Sequence, residues 1–319
     1  MCGIFGYSFK DGAISDGRRA ILGNNLARLN DKRGGHSWGV CSIEPGNPEP
    51  MISRGLGDMA DHAYTLADAK FLFAHCRWAT VGAKTIENSH PFEIGNIIGA
   101  HNGGVANHNE LDRKYKRDCK VDSQHFFHHL NDNVNFGDIE GYGTIEWVYK
   151  DDLSKIYLSR LKGGQLAIFG IGDPHQEGKT KGIVWTSDEK HLLEAMFTAG
   201  IKDFFPYKVE EGAVFFVQDG EIYIDHQRKL EIGREVHRKS QQWENNYGTY
   251  GGYTTRQTTG TGFKGGGTTG STKSESIHSS PIERDLTDWR EWNLYCEEKE
   301  GACEDNNCGF SQDEIGGSE

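Results

Sequence analysis

The sequence predicts an α+β fold in which helices pack outside two β-sheets. Short runs of β-branched and aromatic residues recur along residues 2–236 and are bounded by turn formers, which is typical of a sheet-rich domain. Residues 16–29 and 189–199 instead carry leucines at helical spacing. The Asp219-Gly220 pair, which lies between two apolar runs, predicts a β-hairpin.

The predicted elements follow one another along this domain. Strands are predicted over residues 4–7, 38–43, 69–76, 97–100, 165–171, 182–186, 213–217 and 221–225. Helices are predicted over residues 16–29, in a short run that ends at Ala67, after Asp122, and over residues 189–199, where Gly200 ends the helix. Two glycines within residues 54–57 predict a turn.

The charge balance restricts the classes of partner. With a formal net charge of −12 and a pI near 5.6, the chain lacks the excess of lysine and arginine that neutralises phosphates, so we expect no nucleic-acid partner. We find no apolar run of about 18 residues and no secretory leader pattern, so we expect no membrane span. The expected location is the cytoplasm, with small molecules or proteins as partners.

The cysteine pattern predicts free thiols. Four cysteines lie far apart without any CxxC pair, which indicates buried thiols in a reducing compartment; they are Cys2, Cys41, Cys76 and Cys119. Three more cysteines, at 296, 303 and 308, cluster without a following histidine and fit no common zinc module. We interpret three histidines on one predicted helix, at 125, 128 and 129, as packed or solvated. We therefore predict no metal and no cofactor.

Cys2 is the first candidate for chemistry. If the initiator methionine is removed, Cys2 carries both a thiol and a free α-amine, and near neutral pH a fraction of that amine is unprotonated and can take the thiol proton through a bridging water. The residue is then a nucleophile with its own base. The alternative interpretation is a cysteine that merely follows the start codon.

Polar groups follow two of the predicted buried strands. The strand over residues 69–76 leads into Arg77-Trp78-Ala79-Thr80, and the strand over residues 97–100 leads into His101-Asn102-Gly103-Gly104. Binding sites are commonly built where such strands end. Farther along, Asp122 precedes an apolar helical face and could cap that helix.

Five motifs in one order carry a resemblance to a known family. They are MCGIFG at residue 1, KRGGHSWG at 32, CRWAT at 76, NSHPF at 88 and HNGG at 101. Together they resemble class II glutamine amidotransferase domains, which belong to the N-terminal-nucleophile hydrolases. The likeness extends from Cys2 to about Val236 and is greatest to the glutaminase half of glucosamine-6-phosphate synthase, whose pattern residues 102–111 follow nearly throughout.

The resemblance implies a four-layer αββα sandwich of two antiparallel sheets and a glutaminase chemistry. In that chemistry the Cys2 thiolate attacks the side-chain amide of glutamine, ammonia leaves, and water releases glutamate. The Cys2 amine would be the base. The side-chain amide of Asn102 and the backbone N–H of Gly103 would form the oxyanion hole.

The resemblance also implies residues that bind glutamine. Arg77 would offer its planar fork to the α-carboxylate, and Asp122 would face the α-ammonium. Trp78 and Thr80 would line the pocket. Two alternatives stay open, because Arg77 could form a surface ion pair and Asp122 could be a helix cap, alone or in addition.

The chain departs from the family pattern at three places. Val81 replaces a residue that is usually polar or histidine, His36 replaces a usual aspartate, and residues 121–124 read VDSQ where SDTE is more common. The nucleophile and the oxyanion hole are unaffected. The departures concern the selectivity of the pocket and the assignment of Asp122.

The composition divides the chain into three parts. We predict an amidotransferase domain over residues 2–236, a disordered Gly/Thr/Ser-rich linker over 237–280, and an acidic tail over 281–319. The tail carries tryptophans and aliphatic residues that could dock on a partner or on the domain; a plain solubilising tail is the alternative.

Three functions fit this organisation. Residues after about 236 are too few and too polar to fold around an acceptor substrate, and they contain no GxxxxGK[ST] loop. We therefore favour a stand-alone glutaminase subunit that supplies ammonia to a separate synthase. The alternatives are a hydrolase of γ-glutamyl amides that needs no synthase, and a non-catalytic binding module that retains the fold.

Overall fold

The structure is a computed structural model that describes residues 2–236 apart from residues 45, 48, 63–65, 67, 68 and 174–179. The predicted linker and acidic tail lie outside the described residues. No helix in the described part of the chain is both long enough and apolar enough to cross a membrane.

The first sheet has seven antiparallel strands. They are β1 (Gly3–Phe9), β2 (Ser37–Ser42), β3 (Met51–Leu56), β4 (Phe71–Arg77), β9 (Ala167–Ile171), β10 (Gly182–Thr186) and β11 (Phe204–Tyr207). Their order across the sheet is β11-β9-β10-β1-β4-β2-β3. The strand that follows Cys2 is therefore central, with β10 on one side and β4 on the other, and Gly3 lies opposite Cys76.

The second sheet has six antiparallel strands and one short parallel addition. They are β5 (Phe92–Ile94), β6 (Ile97–Val105), β7 (Glu140–Tyr149), β8 (Asp152–Arg160), β12 (Ala213–Gln218) and β13 (Glu221–Lys229), in the order β13-β12-β8-β7-β6-β5, and β14 (Arg234–Glu235) pairs with β7 in parallel. The predicted hairpin joins β12 to β13. Its Asp219 and Gly220 have φ values of 50° and 70°, as the favoured two-residue turn requires.

Four α-helices and one 3₁₀ turn are found among the described residues. They are α1 (Asp16–Gly34), α2 (His108–Tyr115), α3 (Gln124–Asn131), α4 (Glu189–Thr198) and the 3₁₀ turn Ala60–His62. Ser15 begins α1, since its side chain accepts a hydrogen bond from the Arg18 N–H. Asp188 begins α4 in the same way, through the Lys190 N–H.

Three apolar layers hold these elements together. Leu22 and Leu26 of α1 and Met196 of α4 are buried in one layer with residues of the first sheet. A second layer lies between the sheets, and a third joins α2 and α3 to the second sheet. The predicted four-layer αββα sandwich is therefore confirmed, with a sheet on either side of the central layer.

Two predicted boundaries are wrong for reasons of packing. Residues 54–56 belong to β3 and pair with β2, so the turn begins only at Gly57. Gly55 serves close approach rather than a turn, because a Cβ there would lie 2.6 Å from the Trp38 ring. The strand predicted to end at residue 100 continues to Val105, since its glycines stay paired with β7.

Candidate active site

Cys2 immediately precedes β1 and is held against the segment that follows β4. Its Sγ accepts a hydrogen bond from the Trp78 N–H at 3.3 Å, and the thiol donates to the Trp78 carbonyl at 3.5 Å. The residue is half-buried, so the thiol is enclosed but still reachable. The thiol predicted to be the nucleophile thus has a fixed position relative to the predicted pocket residues.

The backbone of Cys2 is fixed by a residue to which sequence reasoning gave no role. The Arg33 Nε–H donates to the Cys2 carbonyl at 3.1 Å, and the same guanidinium forms an ion pair with Asp188 at 2.6 Å. Gly3 allows the first strand to approach α1, because a Cβ there would lie 2.3 Å from Asn30 Oδ1. The position of Arg33 within the KRGGHSWG motif was the signal that could have identified it.

The environment of Cys2 favours the protonated thiol at rest. Burial raises the pKa of the thiol, while the Trp78 N–H and the positive charge of Arg77 lower it, and burial outweighs them. A group with a raised pKa needs a base to remove its proton during a reaction. The site therefore suits a nucleophile that is activated only in the presence of a correctly placed base.

Arg77 ends β4 and is fully buried. Its Nη1 donates to the Ala83 carbonyl at 3.1 Å and its Nη2 to the Val81 carbonyl at 2.7 Å. No carboxylate of the described residues lies within ion-pair distance of it, so the alternative of a surface ion pair is wrong. At the departure noted for Val81, the structure uses the backbone carbonyl, which any side chain would leave in place.

Asp122 is buried and bonds to the second sheet rather than to a helix. Its Oδ2 accepts a hydrogen bond from the Val105 N–H at 2.9 Å. Ser123, not Asp122, occupies the N-cap of α3, and it forms no side-chain capping bond. The helix-cap alternative for Asp122 is therefore wrong, because Ser123 occupies the cap position and the Asp122 carboxylate bonds to a strand amide instead.

The hydrogen bonding of β6 shows which of its amides are free of the neighbouring strand. The Ala106 N–H donates to the Glu140 carbonyl at 2.7 Å, just beyond the strand. In an antiparallel pair only every second residue exchanges such bonds. Counting back along the register, Gly103 and its partner Gly143 form a pair without them. The Gly103 N–H therefore points away from β7.

Two backbone N–H groups of β6, those of Val105 and Gly103, point to that outer edge, and only the first is bonded to Asp122. The Val105 N–H, two residues from Gly103 and on the same edge, is the amide that binds Asp122. β5 pairs with β6 only as far as Gly99, so no strand of the described residues covers Gly103. Asn102 is half-buried, and we find no partner for its side-chain amide among residues 2–236 as described.

His101 joins the two parts of this edge. Its Nε2 lies 3.1 Å from the Tyr142 carbonyl and its Nδ1 lies 2.8 Å from Ser123 Oγ. Because a carbonyl only accepts, we assign the ring proton to Nε2, so that Nδ1 accepts from the Ser123 hydroxyl. Burial lowers the pKa of His101 to about 4, which keeps the ring neutral. The ring thus fastens β6 to the segment that carries Asp122.

The remaining residues predicted to line the pocket, Trp78 and Thr80, lie in the segment that follows β4. The Trp78 ring stacks on His36 at 4.0 Å between centroids, and the Ala79 N–H donates to His36 Nδ1 at 3.0 Å. Trp78 is half-buried and Thr80 is exposed. Burial, with Lys84 and Arg77 nearby, lowers the pKa of His36, so the substitution at this position leaves a neutral ring.

Arg77, Trp78 and Asp122 lie around the Cys2 thiol. Asn102 and Gly103 lie on the strand edge beside Asp122, and Thr80 is exposed. The charges of Arg77 and Asp122 both act on the Cys2 thiol, and Asp122 adjoins the β6 edge that carries Gly103. Two cavities, of about 690 and 390 Å³, lie elsewhere and contain none of these residues. The candidate active site therefore consists of Cys2, Arg77, Trp78, Asn102, Gly103 and Asp122.

Comparison of the sequence with known proteins finds relatives of one kind. Glutamine–fructose-6-phosphate aminotransferase of Aquifex aeolicus is 36% identical over 238 residues, which are 70% of this chain and 36% of that protein. The enzyme of the same name from Vibrio parahaemolyticus is 32% identical over 196 residues, 54% of this chain and 31% of that one. Amidophosphoribosyltransferase of Methanocaldococcus jannaschii is 26% identical over 252 residues, 73% of this chain and 50% of that one.

Comparison of the structure finds the same fold. A glutamine phosphoribosylpyrophosphate amidotransferase from B. subtilis superposes with a TM-score of 0.50 at 17% identity, over 70% of this chain and 49% of that one. No family model matches the sequence. The chain spans at most half the length of the three sequence relatives described above.

Proposed function

The chain carries a class II glutamine amidotransferase domain, as the resemblance of its motifs implied, and from this premise we propose that it hydrolyses the side-chain amide of glutamine through Cys2. One observation carries the proposal. The Cys2 thiol is fixed by Trp78 beside a buried arginine and a buried aspartate. Neither the Arg77 guanidinium nor the Asp122 carboxylate forms an ion pair with another of the described residues.

The reaction begins at the thiol once the initiator methionine has been removed. The free α-amine of Cys2 takes the thiol proton through a water molecule, and the thiolate attacks the amide carbon of glutamine. The oxygen of the tetrahedral intermediate is met by the Asn102 side-chain amide and the Gly103 N–H. Two donors that form no competing strand bond can bind this oxygen without first breaking one, and each is worth about 10²–10³ in rate.

The tetrahedral intermediate then breaks down after the amide nitrogen of the substrate has been protonated. The Cys2 ammonium returns the proton to the leaving group, ammonia departs, and a thioester of Cys2 remains. A water molecule, deprotonated by the same amine, attacks the thioester and releases glutamate and the free thiol. The amine therefore acts once as base and once as acid in each half of the reaction.

Substrate recognition uses the two buried charges. The α-carboxylate of glutamine takes the guanidinium N–H groups of Arg77 that its loop carbonyls leave available, and the α-ammonium approaches the Asp122 oxygen that Val105 does not occupy. Trp78 and Thr80 line the entrance. A substrate with both α-groups free satisfies both charges; γ-glutamyl amides carry the same two groups, so the choice between glutamine and larger γ-glutamyl compounds is left to the substrate comparison below.

The ammonia goes to a separate acceptor enzyme. Residues after 236 consist of a Gly/Thr/Ser-rich stretch and an acidic segment with few aliphatic residues, a composition that does not support a second substrate-binding domain. We propose that a separate synthase partner uses the ammonia that this chain releases together with glutamate.

The test compares two substrates with the untagged full chain. Glutamate release is measured with glutamine and with a γ-glutamyl peptide, for the wild type and Cys2→Ala. The expected result is turnover of glutamine that Cys2→Ala abolishes, with the peptide a poorer substrate. Faster cleavage of the peptide would contradict the role as an ammonia supplier, and undiminished turnover by Cys2→Ala would contradict the mechanism.

A further inference from the structure

Three potential metal ligands meet on the outer side of the segment that carries Asp122. Asp112 lies on α2, Cys119 lies in the connection to α3, and His125 lies on α3. One ligand atom from each lies within 4.8 Å of those of the other two. These residues are remote in role from Cys2, and the proposed glutamine hydrolysis uses none of them.

The contacts within the group leave one buried nitrogen without a partner. His125 is fully buried, and its Nε2 lies 3.3 Å from Asp112 Oδ1 but forms no hydrogen bond. The other ring nitrogen, Nδ1, lies 3.9 Å from Cys119 Sγ. With the ring proton on Nδ1, two acceptors, Nε2 and the carboxylate oxygen, face each other. A cation between them would satisfy both.

We propose that Asp112, Cys119 and His125 bind a divalent transition metal of the zinc type. Thiolate, imidazole and carboxylate are the ligands that zinc uses in proteins, and three protein ligands leave a fourth position for water. On binding, the Cys119 thiol releases its proton to solvent and its sulfur bonds to the metal. The carboxylate and thiolate then balance the charge of the ion.

The surroundings of the site are compatible with a cation. The charge of Arg117 acts on Cys119 and His125, and its guanidinium pairs with Asp132 at 2.7 Å and lies over the Tyr115 ring at 4.4 Å. Its charge is thus partly compensated outside the group. Asp112 Oδ1 also accepts the Cys119 N–H at 3.2 Å, which already draws two of the ligands together.

The metal would fasten the segment between α2 and α3 from outside. On its inner side, the same segment is tied to β6 through Asp122 and Ser123. Cys119 and His125 each lie three residues from Asp122, one on either side. Metal binding does not depend on the proposed glutamine hydrolysis, so it can fail or succeed independently. For His125 alone, the proposal departs from our sequence prediction that the three histidines of this helix are packed or solvated.

The test uses cobalt as a probe of zinc-type coordination. The full chain is stripped with a chelator, titrated with Co²⁺, and followed by absorption spectroscopy. We expect saturation at one equivalent with a thiolate-to-cobalt charge-transfer band and the intense visible bands of four-coordinate cobalt. Added Zn²⁺ should abolish the spectrum. Absence of the charge-transfer band in the wild type would overturn the proposal and leave a hydrogen-bonded thiol, imidazole and carboxylate.

Matched variants show which cysteine sulfur binds the cobalt ion. Cys119→Ser should lose the charge-transfer band, and a chain with Cys296, Cys303 and Cys308 all changed to serine should keep it. The opposite pattern would place the metal on the C-terminal cysteines and overturn the assignment. Asp112→Asn is a second variant with little change of shape, and we expect at least tenfold weaker cobalt binding; unchanged affinity would contradict the ligand set. Circular dichroism confirms that each variant is folded.

Discussion

Two segments of the candidate site hold their polar groups in opposite ways. In the segment after β4, residues 77–84, the buried guanidinium of Arg77 is held by two carbonyls of its own loop. On the outer edge of β6, the side-chain amide of Asn102 and the backbone N–H of Gly103 form no bond to a strand among the described residues. The flanking groups are bonded: the Val105 N–H to Asp122 and the His101 ring to Ser123.

Under the proposed function, this difference separates binding from catalysis. A charge that must wait for a substrate carboxylate is costly to bury alone, and carbonyl oxygens reduce that cost. Donors for a transient oxyanion must instead stay free and fixed, since their value lies in needing no reorganisation. We therefore expect substitutions in the first segment to act mainly on substrate affinity, and substitutions on the β6 edge to act mainly on turnover.

The largest expected effect comes from extending the chain before Cys2. A non-cleavable Gly-Ser inserted ahead of Cys2 converts the proposed base into an amide and should abolish glutamine hydrolysis, while both segments keep their structure. Glutamate release and circular dichroism measure the two parts of this result. The same dipeptide added after residue 319 is the control. An extended chain that remains active would remove the amine from the mechanism.

Asn102→Ala tests the free edge. Loss of one oxyanion donor should lower kcat by about 10²–10³ with little change in KM. Asn24→Ala, an exposed helical position, is the control and should leave both constants unchanged. If KM rises and kcat does not fall, Asn102 binds the ground state and the contrast between the segments disappears.

Arg77→Lys tests the carbonyl-held segment. An ammonium keeps the charge but cannot span two carbonyls and a carboxylate, so kcat/KM should fall by about 10–100-fold, mostly through KM. Arg54→Lys is a matched control, because Arg54 also donates twice to a backbone carbonyl, that of Pro91. A loss confined to kcat, or an equal loss in the control, would contradict the binding role.

The buried histidines behind the edge predict a dependence of stability on pH. Burial lowers the pKa of His75 to about 3 and that of His101 to about 4, below the unfolded value near 6.5. The unfolded chain therefore binds more protons as the pH falls through 6.5. The free energy of unfolding should then fall by about 1.4 kcal/mol per pH unit for each such ring.

Urea titrations at pH 7, 6 and 5 measure this slope. His101→Asn should reduce it by the share of one ring. A free energy of unfolding that stays level from pH 7 to 5 would mean that these rings are charged in the folded state.

Ser123→Ala has the smallest expected effect. It removes the hydroxyl that donates to His101 while Asp122 keeps its own bond to β6. We expect a loss of about 1 kcal/mol in the free energy of unfolding and a fall in kcat of less than tenfold. Chemical denaturation and steady-state kinetics test both. A fall as large as that of Asn102→Ala would show that the fastening, not the free donors, governs turnover.

The sequence contained most of the site because its parts are contiguous motifs. Cys2, Arg77 and Asn102 each belong to a short string that could be matched on its own. The contributions of Arg33 and Ser123 depend on contacts across the fold, from a guanidinium to the Cys2 carbonyl and from a hydroxyl to the His101 ring. Such contacts leave no local pattern.

The fold was less evident in the second sheet. Most of β7 is buried on both faces, so the alternation that marks a half-exposed strand is absent, and the buried Glu146, which accepts from Trp185 Nε1 at 2.8 Å, interrupts its apolar run. α2 buries only Leu111 and is otherwise polar, so its periodicity was missed. The strands β5, β8 and β14 of the second sheet were likewise not predicted, nor were β3 and β11 of the first.

The most direct test of the account is covalent labelling of the thiol. The untagged chain is incubated with a diazo-ketone analogue of glutamine, and intact and peptide masses are recorded for the wild type and Cys2→Ser. The account predicts loss of Met1, one adduct located on Cys2, protection by glutamine, and no adduct in the variant. An adduct on another cysteine such as Cys119, or an unlabelled Cys2 in a chain that still releases glutamate, would contradict it.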